Sequence, residues 1–116
     1  MIKKYQVTVT RTDTYNVEID DAVFNAEWAK EFSSVFWDID PENAAQEAAE
    51  DIARMTARFG TNAFLEGYGF ITVKDSDYSK YLKEKGNRYA EGVTIEEEDV
   101  DNEEMESEYL GEGGKQ

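Results

Sequence analysis

Carboxylates are the reactive groups this sequence holds in quantity. The chain has 27 Asp and Glu against 12 Lys and Arg, with no His and no Cys, for a formal net charge of −15. Acid chemistry depends on spacing. An EF-hand loop requires Gly at its sixth position and Glu at its twelfth. Counted from Asp99 those positions hold Glu104 and Leu110, and counted from Asp38 they hold Asn43 and Ala49, so both stretches fail. A two-carboxylate glycosidase needs a cleft, and an acid whose pKa is moved by burial or by a neighbouring charge. Solvated acids in a chain of 116 residues offer no sign of either. Ser and Thr are present, but with no His and no SxxK pattern they lack a recognisable activating base. The missing His and Cys also remove imidazole bases, thiol nucleophiles, disulfides and the usual zinc ligands. The expectation is a protein that is not an enzyme and carries no metal or cofactor.

The acids that remain are arranged for contact rather than turnover. From Tyr89 to Gly114 there are eleven carboxylates and no Lys or Arg. Like-charge blocks of this kind are interaction tails or solvated faces. Glu96, Glu97, Glu98, Asp99, Asp101, Glu103 and Glu104 form its densest part and are candidate partner-binding residues. Glu47, Glu50 and Asp51 are a second candidate set, on the outer face of a helix, with Glu42 near its start. This charge argues against direct contact with nucleic acid or an anionic membrane, because phosphate contacts need Lys or Arg. It favours a basic partner, such as a protein surface that itself binds nucleic acid. One cationic patch stands out: Lys80, Lys83, Lys85 and Arg88 lie among Tyr78, Tyr81 and Tyr89. It resembles a nucleic-acid surface in miniature. In so acidic a chain these cations are expected to pair with the protein's own carboxylates.

The elements that position these groups follow from periodicity. Residues 4–11 alternate, with Tyr5, Val7 and Val9 on one face, and Tyr15, Val17 and Ile19 repeat the pattern. Thr12-Asp13-Thr14 between them reads as a hairpin turn. Asn25 is placed to cap a helix over about 25–37, whose stripe is Phe24, Trp28, Phe32, Val35 and Phe36. Asp40-Pro41-Glu42 is a strong start signal for a second helix over 41–59, ended by Gly60. Its inner stripe is Ala45, Ala48, Ile52, Met55 and Phe59, and Glu50 with Arg54 makes an i, i+4 pair.

Residues 63–74 return to strand composition. Gly67 and Gly69 flank Tyr68, which suggests a bulge or a close backbone approach. The Gly-Tyr-Gly run lacks the phosphate-loop patterns. Phe64, Tyr68 and Phe70 would share one sheet face and leave it open as an aromatic contact patch. Residues 77–86 read as a short helix or a loop, and 92–97 as a last strand. The expected fold is α+β: an antiparallel sheet of about four strands with two helices packed on one face. Residues 1–97 form the domain, and 98–116 an acidic tail, disordered or weakly helical. No apolar run approaches the length of a membrane span, and the N-terminus reads as a strand rather than a signal peptide. A cytoplasmic protein is expected.

Small size, absence of Cys, acidity and exposed Asp/Glu rows together resemble the small phage counter-defence proteins. The residues carrying the likeness are Glu96-Glu97-Glu98-Asp99 with Asp101, Glu103 and Glu104, and the helix face of Glu42, Glu47, Glu50 and Asp51. That group includes anti-CRISPR and anti-restriction inhibitors, many of them DNA mimics. The resemblance implies a viral protein acting in the bacterial cytoplasm by protein–protein interaction. Its partner would be the basic nucleic-acid-binding site of a CRISPR effector or defence nuclease. The competing expectation is a phage or plasmid structural or adaptor protein that binds through the aromatic face of Tyr68 and Phe70, its acids serving solubility.

Overall fold

Two long strands and three helices account for most of the chain. The computed structural model describes residues 1–112, with β1 (Lys3–Ile19), α1 (Ala26–Ser33), a 3-10 turn (Pro41–Asn43), α2 (Ala44–Phe59), β2 (Phe70–Val73), α3 (Asp77–Glu84) and β3 (Tyr89–Glu112). The fold is α+β with a mixed three-stranded sheet in the order β1-β3-β2. β2 and β3 are parallel, with Phe70 opposite Tyr89 and Val73 opposite Ile95. α3 connects them, as a parallel pair requires a crossover. β1 runs antiparallel to β3. Contacts divide the chain into two units: a body, Tyr15–Glu97, and a ribbon made of Met1–Thr14 with the chain from Glu98 onward.

The body is built on aromatic packing. Phe32 lies at its centre, with ring centroids 5.0 Å from Trp28, 5.0 Å from Trp37 and 5.1 Å from Tyr68. Ala48 and Ile52 on α2 and Val93 and Ile95 on β3 complete the core. Each fully buried side chain of this size contributes about 1.5–3 kcal/mol relative to exposure. The helix starts follow their caps. Asn25 Oδ1 accepts from the Trp28 N–H at 2.9 Å, and Asp40 accepts from the Glu42 N–H at 2.9 Å and the Asn43 amide at 2.9 Å. These donors hold the Asp40 carboxyl below its usual pKa, the Glu42 N–H most of all. The Pro41 start leads into a 3-10 turn before α2, which ends at Gly60 with φ 92°. α1 stops four residues earlier than its pattern suggests, and Val35 and Phe36 are left exposed, as is Phe59 at the end of α2.

The sheet departs from expectation in three places. Residues 3–19 form one strand, not a hairpin, because nothing among them has the positive φ a two-residue hairpin turn needs. Asp13 is instead spent on a cross-strand bond to the Asp101 N–H at 3.0 Å. Residues 63–69 are turn, with strand only at Phe70–Val73. Gly67 and Gly69 take φ of 86° and 85° and fold the chain tightly at Leu65. A Cβ on Gly69 would stand 2.6 Å from the Arg88 carbonyl oxygen, so the close-approach reading of the glycines holds. The acidic stretch from Glu98 to Glu112 continues β3 as strand rather than tail. The last four residues of the expected tail, 113–116, lie outside the described residues.

Candidate partner-binding surface

Within the ribbon, the Tyr5 ring meets Tyr109 at 5.4 Å while Asp13 meets Asp101, so falling numbers on β1 match rising numbers on β3. Strand alternation then sorts the side chains into two faces. One carries Tyr5, Val7 and Val9 with Met105 and Tyr109, all more than half exposed. The other carries Glu104, Glu106 and Glu108 beside Gln6, Thr8 and Thr10. Among the described residues, no Lys or Arg lies within 4.0 Å of any of these three carboxylates.

At the far end of the apolar face, an ion cluster ties the strands together. Arg11 donates to Asp13 at 3.1 Å and pairs with Asp101 at 2.6 Å, while Asp13 accepts the Asp101 N–H. The Asp101 N–H, then Arg11, hold the Asp13 carboxyl below its usual range. Asp101 itself has φ 59°, a left-handed conformation that Asp tolerates better than most residues.

The expected acidic row is therefore redistributed. Glu96 and Glu97 belong to the body, where Glu96 accepts from Asn16 at 3.5 Å. In the ribbon, Asp99 accepts from Asn102 at 3.3 Å, Asp101 is neutralised by Arg11, and Glu103 stands on the apolar face. Glu98 is exposed. Of the residues singled out in sequence, only Glu104 joins the open row, and Glu106 and Glu108 were missed. The signal for them was present. Acids at 104, 106 and 108 with Met105 and Tyr109 between are the period-two pattern of a strand, which the 100, 105, 109 spacing disguised as a weak helix.

The helical set fares differently. Glu47 accepts from the Asp40 N–H at 3.1 Å, and Glu50 from the Gln46 amide at 3.2 Å, so both help hold the start of α2. Glu50 does not pair with Arg54; Asp51 does, at 3.2 Å. Asp51, expected on the outer face of the helix, is instead buried and accepts from Trp37 Nε1 at 2.7 Å and the Tyr68 hydroxyl at 3.2 Å. Tyr68, expected on an open sheet face, is 4% exposed and lies in the core. The two glycines beside it turn it inward. Burial, followed by the Asp51 carboxylate, pushes the Tyr68 hydroxyl well above the usual phenol range. Phe70 is also buried, against Tyr89, which leaves Phe64 as the exposed member of that aromatic set. The aromatic face proposed for an adaptor is thus closed.

Asp51 and Arg54 line a hollow of about 380 Å³ with Asp38, Asn43, Glu47 and Glu50. Glu47, Glu50 and Asp51 are engaged as described, and among the described residues no three His, Cys, Asp or Glu are placed to hold a metal. On the opposite end of β1's body segment, Lys74 pairs with Glu18 at 3.4 Å, which raises the lysine's pKa. No described helix is long and apolar enough to cross a membrane. Compared with known proteins, the chain matches no family model, no curated protein and no solved structure.

Proposed function

We propose that the protein is a non-catalytic inhibitor that occupies a basic nucleic-acid-binding surface of a CRISPR effector or another defence nuclease, standing in for DNA. The observation that carries this reading is the row of Glu104, Glu106 and Glu108, held on one face of a hydrogen-bonded ribbon with no cation among the described residues within 4.0 Å of it. Same-face side chains on a strand repeat about every 6.6–6.8 Å. One strand of DNA carries a charge about every 3.4 Å of axis and a duplex about every 1.7 Å. The row therefore supplies roughly half the charge density of a single strand, which suits a single-strand channel better than a duplex cleft. Fixing the carboxylates on a ribbon lowers the ordering cost of binding.

A second reading has its own observation. The apolar face of Tyr5, Val7, Val9, Met105 and Tyr109 would serve an adaptor making a dry contact, in place of the buried Tyr68 and Phe70.

The test is a partner captured from bacterial extract at low salt, purified and rebound with labelled DNA present. An inhibitor of this kind displaces the DNA. Its affinity falls roughly 20-fold between 50 and 200 mM salt if three carboxylates act as phosphates of a single strand. Substituting Glu104, Glu106 and Glu108 with Gln should abolish both effects. Unchanged binding by that triple variant, with loss on Val7→Thr and Val9→Thr, would instead establish the adaptor.

A further inference from the structure

Among the described residues, the cations of α3 and the turn after it are not paired with the chain's own acids, contrary to what net charge suggests. Lys80, Lys83, Lys85 and Arg88 are four of the chain's 12 cations within nine residues. The described ion pairs use Arg11, Arg54 and Lys74, and none of these four has a carboxylate within 4.0 Å among the described residues. Asp75 and Asp77 stand at the start of the helix and Glu84 within it, none of them paired to the patch. The lysines lie over rings instead: Lys83 Nζ is 4.5 Å from the Tyr89 centroid and Lys85 Nζ 5.6 Å from that of Tyr81. Tyr78 and Tyr81 are stacked at 6.1 Å with 17° between their planes, and each is at least half exposed. Cations in a last helical turn complement the helix dipole, which accounts for Lys83. It does not account for Arg88 or for two exposed tyrosines stacked beside the lysines.

We infer that α3 is a binding site for single-stranded nucleic acid. Tyr78 and Tyr81, three apart on the helix, form an aromatic track, and Lys80 and Lys83, also three apart, form a cationic track beside it. Bases stack on the first while the backbone lies along the second, the pairing that sequence-tolerant single-strand binders use. The eight residues of α3 span about 12 Å, room for about two or three nucleotides. Repulsion from acids elsewhere on the chain is screened beyond about 8 Å at physiological salt. Affinity should fall in the range of non-specific binding, about 10⁻⁴–10⁻⁶ M. This site is independent of the acidic ribbon, and failure of either leaves the other standing.

The experiment is fluorescence anisotropy of the full chain with a labelled oligothymidylate, with the same strand annealed to its complement, and with polyglutamate as a competitor. The single strand should bind, and the duplex, whose base faces are hidden, at least about tenfold more weakly. Tyr81→Ala should weaken single-strand binding at least about fivefold while Tyr81→Phe retains it. Lys80→Ala with Lys83→Ala should lower the salt slope by about 1.4. Absence of binding at millimolar protein, equal binding of strand and duplex, or displacement by polyglutamate with no sensitivity to Tyr81→Ala would overturn the assignment. The last outcome would mark a patch for acidic protein segments. Circular dichroism on each variant separates lost binding from lost fold.

Discussion

Tyr5, Val7 and Val9 in one half of β1, and Tyr15, Val17 and Ile19 in the other, are the same pattern on the same strand. The second set packs against the core of the body, whereas the first is 55%, 56% and 55% exposed. Nothing in the alternation distinguishes them. The difference lies in what each unit places over the face. The body contributes α1 and α2, whereas among the described residues the ribbon contributes only segments of β1 and β3. Period two states which side chains travel together, and cover decides whether they are core.

The contrast breaks first at the core. Ile52 on α2 is fully buried. Ile52→Ala should cost about 4 kcal/mol, the transfer free energy plus a cavity, read as a lower denaturation midpoint in urea. A loss below about 1 kcal/mol would mean that the body is loosely packed and the two halves of β1 are alike after all.

Asp51→Ala comes next, at about 3 kcal/mol. It leaves the Trp37 N–H and the Tyr68 hydroxyl without their acceptor and Arg54 without its carboxylate. Asp51→Asn keeps an acceptor and should recover a substantial part of the loss. Were Asp51 the surface contact its helical position suggests, both variants would fall within about 0.5 kcal/mol of the parent.

These two neighbours show how far the sequence could be read. Asn25, Asp40 with Pro41, and Gly60 marked the helix ends because capping is local chemistry, visible within a few residues. The stripe that holds Ala48 and Ile52 was visible for the same reason. The long-range terms were not. Asp51 reads as an outer-face acid until Trp37, fourteen residues away, and Tyr68, seventeen away, are brought to it. Thr12-Asp13-Thr14 reads as a turn until Asp101 supplies an N–H across 88 residues. The parallel pairing of β2 with β3 leaves no local mark at all. At the candidate site, Glu104 was legible as an acid but its face was not, since the face depends on whether 98–112 is strand.

Alkaline pH probes the same core. The folded-state pKa of Tyr68 is raised, so the protein favours its neutral form more than the unfolded chain does. Its contribution is complete below the unfolded phenol value of about 10 and is lost as pH rises above it, by up to about 1.4 kcal/mol per pH unit. Absorbance titration, compared with that of Tyr68→Phe, should show Tyr68 ionising only as the chain unfolds. Ionisation of Tyr68 ahead of unfolding would mean that water reaches the site.

The smallest effects belong to the ribbon and test the comparison most directly. Val7→Thr and Val9→Thr keep β-branching and strand propensity while removing apolar surface. On a face open to water each should change the unfolding free energy by no more than about 0.5 kcal/mol, with far-ultraviolet circular dichroism unchanged. Buried valines would instead lose about 1 kcal/mol or more from a desolvated hydroxyl. A loss of that size would show the face to be covered in solution, because among the described residues nothing buries Val7 or Val9. Repeating the measurement over a hundredfold range of protein concentration identifies the cover. A midpoint that rises with concentration indicates a second copy. A midpoint that stays fixed, with small losses, leaves Tyr5, Val7, Val9, Met105 and Tyr109 as an apolar surface waiting for a different protein.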